Sequence, residues 1–247
     1  MAKKFNRIML LTLALSPLGV SAAHWGYEGQ EAPERWGDLD AAWQTCHQGR
    51  NQSPINITHT QPAHLRPLQA RYSSGPDSLL NNGHTIQANF SENNNKNTLS
   101  LDGETFVLKQ FHFHAPSENT IHGKHYPMEM HLVNQDADGE IAVVAVMFEV
   151  GNTNPELEKL WHVMPPEADK SSAIETTINL NALLPKQKTY WRFSGSLTTP
   201  PCTEGVRWMV LKHPLTLSRT QLELFTKTMR HANNRPVQKL HGRVVIE

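Results

Sequence analysis

Gln110-Phe111-His112-Phe113-His114 carries the densest chemistry in the chain. Side chains alternate across the two faces of a strand, so His112 and His114 point one way and Phe111 and Phe113 the other. Downstream, Met128-Glu129-Met130-His131-Leu132-Val133 alternates in the same manner. There Glu129 and His131 share one face, and Met130 and Leu132 the other. If the two strands are antiparallel neighbours, His131 meets His112 and His114. Three imidazoles on two rigid strands make a three-histidine zinc site with the fourth position open. Ligating histidines need a partner on the second ring nitrogen. Gln110 and Glu129, each two residues before a histidine, lie on the correct faces. The plainer account of these residues is ordinary strand polarity facing a wet cleft. His122 and His125 fall in the polar connection between the strands and are expected in solvent.

Such a site demands a β-rich framework. Thr85 to Phe90, Thr98 to Leu101, Phe106 to His114 and Met128 to Val133 read as short strands. Ile141 to Val150 and Val206 to Leu211 are nearly continuous apolar runs, as expected of strands buried on both faces. Asn81-Asn82-Gly83 reads as a turn, and the polar stretch Ser91 to Asn97 as a hairpin tip. Asn154-Pro155 is a helix start leading into Glu156 to His162. Ser218 and Gln221 form a capping box for Leu222 to Arg230, and a short helix fits within Trp36 to Cys46. No repeat or interdomain linker interrupts the pattern. The expected fold is mainly β with peripheral short helices, a single α+β domain over residues 24–247. Its centre is a large, mostly antiparallel twisted β-sheet.

The chain has 247 residues, with 23 Lys plus Arg, 23 Asp plus Glu, 14 His and 2 Cys. That composition excludes a disordered tail, a collagen-like chain and a polybasic nucleic-acid binder. Two cysteines permit one disulfide and exclude a Cys-rich zinc ribbon. Residues 1–23 read as a secretory signal peptide: Lys3, Lys4 and Arg7 precede an apolar stretch from Ile8 to Leu15, and small residues gather at Val20-Ser21-Ala22-Ala23. The apolar run is shorter than the roughly 20 residues that a membrane span needs, so no anchor is expected in the mature form. Those three cations are the leader's only charges, which leaves a mature chain near −3. The expected destination is the periplasm or the exterior, where Cys46 and Cys202 can pair.

Several short segments, in order, resemble the alpha-class carbonic anhydrases, in the exported bacterial form. They are His24-Trp25-Gly26-Tyr27, Gln52-Ser53-Pro54-Ile55-Asn56-Ile57, Asn82-Gly83-His84, Phe111 to His114, Glu129 to Val133, Ser196 to Cys202 and Asn233-Asn234-Arg235-Pro236. The resemblance covers essentially the whole mature chain. It implies that His112, His114 and His131 bind Zn²⁺, and that hydroxide made available there attacks CO₂ to give bicarbonate. It implies that Thr198 orients the hydroxide and donates its own proton to Glu118, and that Thr199 lines the bicarbonate site. Val133, Val143, Leu197, Val206 and Trp208 would form the apolar wall for CO₂. His84 would shuttle the proton, with Tyr27, Asn82 and Gln87 along its water path. The resemblance also implies a Cys46–Cys202 disulfide and cis bonds at Ser53-Pro54 and Pro200-Pro201. The substrates are small molecules, no nucleic acid is involved, and monomer and dimer both stay open.

Ala115-Pro116 and Asn119 depart from the pattern of animal members, which bears on the shape of the active-site rim. A different enzyme class shares part of the pattern: His112, His114 and Glu118 fit the first half of a cupin motif, in which Glu118 would ligate iron or manganese. The Gly-rich second half of that motif is absent. A non-catalytic binding module is the other rival, yet this chain keeps all three histidines with Thr198, Glu118 and His84. A disulfide closing so long a loop contributes at most roughly 5 kcal/mol. Its reduction is expected to lower stability, followed by thermal melting, more than initial activity. Equal and immediate loss of both would count against that.

Overall fold

The computed structural model describes residues 24–91 and 96–247. The signal-peptide reading of residues 1–23, and most of the hairpin tip within Ser91 to Asn97, lie outside the described residues. Seven strands build the centre of one sheet: β1 (Ser78–Asn81), β2 (Ile86–Asn89), β3 (Glu104–His114), β4 (Met128–Gln135), β5 (Ile141–Val150), β6 (Tyr190–Ser196) and β7 (Glu204–Leu211). Their spatial order is β1-β2-β3-β4-β5-β7-β6. Only β5 and β7 run parallel among these neighbours; the other pairs are antiparallel. Short strands extend both edges: Lys170–Ala173 pairs with β1, Val245–Ile246 with β6, and Thr60–Gln61 lies beyond. The mostly antiparallel twisted sheet with few short helices is the fold expected from the sequence.

The two faces of the sheet bury different sets. Phe111, Phe113, Met130, Leu132, Val144 and Val146 pack on one face with Leu157, Leu160, Trp161 and Phe225. Val143, Ala145, Val206, Trp208 and Val210 pack on the other with Ile55 and Ile57. Phe106 and Leu108 share the first core with Phe111 and Phe113, although strict alternation would set them on opposite faces. A register shift between Leu108 and Gln110 leaves Lys109 as an extra residue and reverses the parity of the strand there. The apolar side chains before and after it therefore face one core, and His112 and His114 are turned to the other side. β5 is buried along most of its length, as its apolar run implied.

The helices are α1 (Trp36–Leu39), α2 (Thr45–Gln48), α3 (Pro155–His162) and α4 (Arg219–Met229). Asn154 Oδ1 accepts from the N–H groups of Glu156 and Leu157 at the start of α3. The capping box of Ser218 and Gln221 opens α4. The single helix expected within Trp36 to Cys46 is instead broken. Asp40 is extended, and its carboxylate accepts from Ala42 N, capping a new 3₁₀ turn rather than continuing α1. His122 and His125 are exposed, the latter donating through Nδ1 to Ser117 O. Ser53-Pro54 and Pro200-Pro201 are cis, and so is Ala115-Pro116, one of the departures noted above.

The segment after β6 carries Thr198, and its approach is fixed by two serines. Ser53 N donates to Ser196 Oγ at 2.9 Å, and Ser196 N to Ser53 Oγ at 3.1 Å. Gly195 makes this possible, because a Cβ there would lie 2.1 Å from Ser53 Oγ and 2.9 Å from Trp208 Cδ1. Gly195→Ala is expected to destabilise the fold by about 1–3 kcal/mol, the usual range for overpacking. Chemical denaturation followed by circular dichroism measures this, and an unchanged midpoint would show that the segment has room to move.

Candidate metal centre and active-site cleft

β3 and β4 place His112 directly opposite His131. Ring centroids are 5.0 Å apart for His112–His114, 5.3 Å for His112–His131 and 4.6 Å for His114–His131. One nitrogen from each ring lies within 4.8 Å of the other two. His114 and His131 are buried, and His112 is half-buried towards the cleft.

Hydrogen bonds on the far side of each ring decide which nitrogen faces inward. His112 Nδ1 donates to Gln110 Oε1 at 2.8 Å, and His114 Nδ1 to Asn233 O at 2.7 Å. Their Nε2 lone pairs are thereby free. His131 is turned over: its Nε2 sits 3.0 Å from Glu129 Oε1, off the line of a straight hydrogen bond, leaving Nδ1 towards the centre. Burial is the main cause that lowers all three imidazole pKa values, and neighbouring imidazole charge lowers those of His112 and His131 further. Asn233 O and Glu129 act the other way on His114. Neutral imidazole is the form that ligates a metal. His114 Nε2 is buried with no hydrogen-bond partner. An unpaired buried acceptor of this kind is costly, and a cation coordinated there would satisfy it. The residues present fit a zinc ion held by three histidines.

Glu129 belongs to a layer behind the three histidines. Its Oε2 accepts from the backbone N–H groups of Glu118 and Asn119 at 2.7 and 2.9 Å, and its Oε1 from Asn119 Nδ2 at 2.7 Å. Burial raises the Glu129 pKa, and these hydrogen bonds oppose it. Asn119 is thus a buried clamp on Glu129 that also accepts from Ile55 N, far from the rim where its departure from the family pattern suggested an effect. Asn233 is a second support that motif reading left without a role. Its carbonyl holds His114, its Oδ1 accepts from Ala115 N, and its Nδ2 donates to His84 O and Phe113 O.

Glu118 stands beside the centre, with Oε2 at 3.5 Å from His114 Nε2 and 3.8 Å from His131 Nδ1. Arg235 N donates to its Oε1 at 2.9 Å, and the Thr198 side chain hydrogen-bonds the same carboxylate. Burial pushes the Glu118 carboxyl up to about 8, opposed by those two bonds. A cation at the three histidines would favour the ionised form. The Arg235 side chain, also unassigned from sequence, donates to Gln52 Oε1, Ser53 O and Cys46 O. It ties the segment bearing Cys46 to the backbone that holds Glu118. Cys46 and Cys202 are disulfide-bonded.

The remaining expected residues surround the cleft. Val143, Val206 and Trp208 are buried beside the half-buried Val133 and Leu197 in one apolar cluster. The Trp208 ring meets His131 edge-on at 4.9 Å. Thr199 is half-buried next to Thr198. Gln87 sits opposite His112 on β2 and donates to Asn89 Oδ1. Asn82 Oδ1 accepts from His84 N and Thr85 N, so this oxygen shapes the turn that carries His84. His84 lies flat on Trp25, and Tyr27 is half-buried nearby.

The family model described as eukaryotic-type carbonic anhydrase matches residues 31–247. The chain belongs to the carbonic anhydrase family. A carbonic anhydrase of Klebsiella pneumoniae is 58% identical over 247 residues, spanning 100% of both chains. One of Pectobacterium atrosepticum is 48% identical over 246 residues, again spanning 100% of both. Among solved structures, the alpha-carbonic anhydrase of Thermovibrio ammonificans in complex with the inhibitor sulfanilamide superimposes with a TM-score of 0.89. It is 49% identical and covers 92% of this chain and 100% of its own. Family and named relatives together support carbonic anhydrase activity, the hydration of CO₂. The cupin alternative fails on this membership. Its required ligand, Glu118, is also engaged by Arg235 N and Thr198.

Since Asn119 holds Glu129 behind His131, Asn119→Ala is expected to weaken zinc affinity by about 10–100-fold. Competition with a chromophoric chelator reads this directly. An unaltered affinity would remove Asn119 from the support of the centre.

Proposed function

We propose that this carbonic anhydrase is zinc-dependent, with His112, His114 and His131 holding the ion. Three imidazoles, two buried and one half-buried, converge with lowered pKa values and outer nitrogens facing protein acceptors, and this observation carries the reading. Carbonic anhydrases are themselves the established case in which three-histidine zinc brings the pKa of a bound water to about 7, and so makes hydroxide available near neutrality.

The chain's own groups do the rest. Val133, Val143, Leu197, Val206 and Trp208 offer CO₂ an apolar surface beside His131. A neutral, weakly hydrated substrate suits that surface. Thr198 donates its hydroxyl proton to Glu118, which leaves its oxygen as an acceptor for the O–H of the nucleophile. That hydrogen bond turns a lone pair towards CO₂, a gain in orientation. Glu118 must be ionised to accept, and Arg235 N keeps it aimed. Thr199 contacts the bicarbonate product. His84 takes the proton that each turnover releases, as a half-buried imidazole at the mouth can do near neutral pH. Gln87 and Tyr27 line the water path to it, and Asn82 holds its turn. The disulfide fits an exported protein, in the periplasm or outside the cell. Among the described residues no helix is long and apolar enough to cross a membrane.

Metal analysis of the purified protein is expected to give zinc in stoichiometric amount, and stopped-flow assays a CO₂ hydration rate that chelation removes and zinc alone restores. Sulfanilamide is expected to slow that rate. Stoichiometric iron without zinc, or no rate above buffer with zinc bound, would overturn the reading. His84→Ala is expected to slow turnover in weak buffer, with free imidazole restoring it. Unchanged turnover in weak buffer would remove His84 from the proton path.

A further inference from the structure

His84 stands at one end of a packed row of four rings, and His231 at the other. The His84 ring lies on Trp25 with centroids 3.7 Å apart and planes 7° from parallel. Trp25 meets Tyr27 edge-on at 5.7 Å. Tyr27 stacks against His231 at 5.6 Å and 28°. Both imidazoles are half-buried, with one face covered by an aromatic ring. His231 Nδ1 donates to Ala232 O at 3.1 Å, which leaves Nε2 as the proton-accepting nitrogen.

The chain ties this row to the catalytic centre. His231 follows Arg230, the left-handed residue that ends α4, and precedes Asn233 by two positions. Asn233 in turn bonds His84 O, Phe113 O and His114 Nδ1. One asparagine thus fixes the His84 turn, the ligand strand and the segment bearing His231 relative to each other.

Charged groups surround the pair from each packed element. His24, which pairs with Glu31, lies with its ring 6.2 Å from His84. Asp169 acts on His84 from the loop before the Lys170–Ala173 edge strand. Glu167 and Arg230 line the groove that holds His231 and Gly83. Burial is the largest cause that lowers the His84 pKa; positive charge on His24 and on His231 lowers it further, and Asp169 opposes them. Positive charge on His231 thus disfavours a proton on His84.

We propose that His84 and His231 are two stations of one proton exit, His231 being the outer station from which buffer takes the proton. The proposal rests on the carbonic anhydrase reading above and extends it. Neutral His84 accepts the proton leaving the cleft and passes one through water to His231 Nε2. A buffer base then removes it, and both rings return to the neutral state. Only N–H and O–H bonds form and break, and no electron moves.

The test compares the zinc-loaded wild type with His84→Gln, His231→Gln and the double variant. Glutamine keeps polarity and bulk at these half-buried sites but does not titrate near neutrality. The readout is the ratio of CO₂ hydration rates in strong and weak buffer. His84→Gln is expected to raise that ratio on the order of tenfold, His231→Gln alone to raise it severalfold, and the double variant to match His84→Gln, as two stations in series require. Nuclear magnetic resonance titration of the wild type and His231→Gln gives a reading independent of activity: the His84 pKa is expected to rise when the neighbouring charge is removed. An unchanged ratio in His231→Gln, or an unmoved His84 titration, would overturn the two-station exit. A wild type with no rate even in strong buffer would instead overturn the hydration reading on which the exit depends.

Discussion

Everything at this site depends on the register of β3 against β4. The period of a strand is two residues, so a slip of β3 by one would turn His112 and His114 into the opposite core, and a slip of β4 would do the same to His131. Phe111, Phe113, Met130 and Leu132 oppose such slips. Each contributes about 1.5–3 kcal/mol when fully buried, and a shifted strand would turn its own pair out of that core. The extra residue at Lys109 completes the arrangement. It lets Phe106 and Leu108 share the core of Phe111 and Phe113 while His112 and His114 face away. Hydrophobic packing on one face thereby sets the three histidines on the other.

A second constraint follows from that burial. Glu118, Glu129 and Arg235 are all almost wholly enclosed. An ionised group in such surroundings is costly unless hydrogen bonds and opposite charge replace its water. The chain supplies them largely from backbone: N–H groups of Glu118 and Asn119 for Glu129, of Arg235 for Glu118, and carbonyls of Ser53 and Cys46 for the guanidinium. Because these donors sit on different loops, the centre holds its geometry only when the loops are all docked. The disulfide and the Ser53–Ser196 pair act on those same loops.

The division of readable from unreadable residues follows the same physics. His112, His114, His131, Gln110 and Glu129 could be read because strand alternation is a local rule that converts spacing into facing. The apolar run of β5 and the capping box of α4 are equally local. Asn233 and Arg235 could not be assigned in that way. Their partners lie more than a hundred positions away, and much of their contribution comes through the backbone, where side-chain identity carries no signal. The sequence pattern places Asn119 at the rim, since nothing local shows that it is buried behind Glu129. The break of the helix at Asp40 turned on one side-chain bond to Ala42 N that competes with helical continuation.

One residue type serves two opposite electrostatic ends here, and depth is what separates them. Deep in the sheet, burial removes water from the imidazoles of His114 and His131 and holds them neutral, as ligation requires. The proposed proton exit asks the opposite, rings that take and lose a proton. His84 and His231 each have one face on an aromatic ring and stay half-buried. Packing against Trp25 and Tyr27 orients them with apolar contact instead of with a fixed carboxylate partner, which would trap the proton. In the proposed mechanism the aromatic row is thus the counterpart of the acceptors behind the three histidines. The acceptors would fix tautomers where charge must stay constant, and the rings would fix positions where it must change.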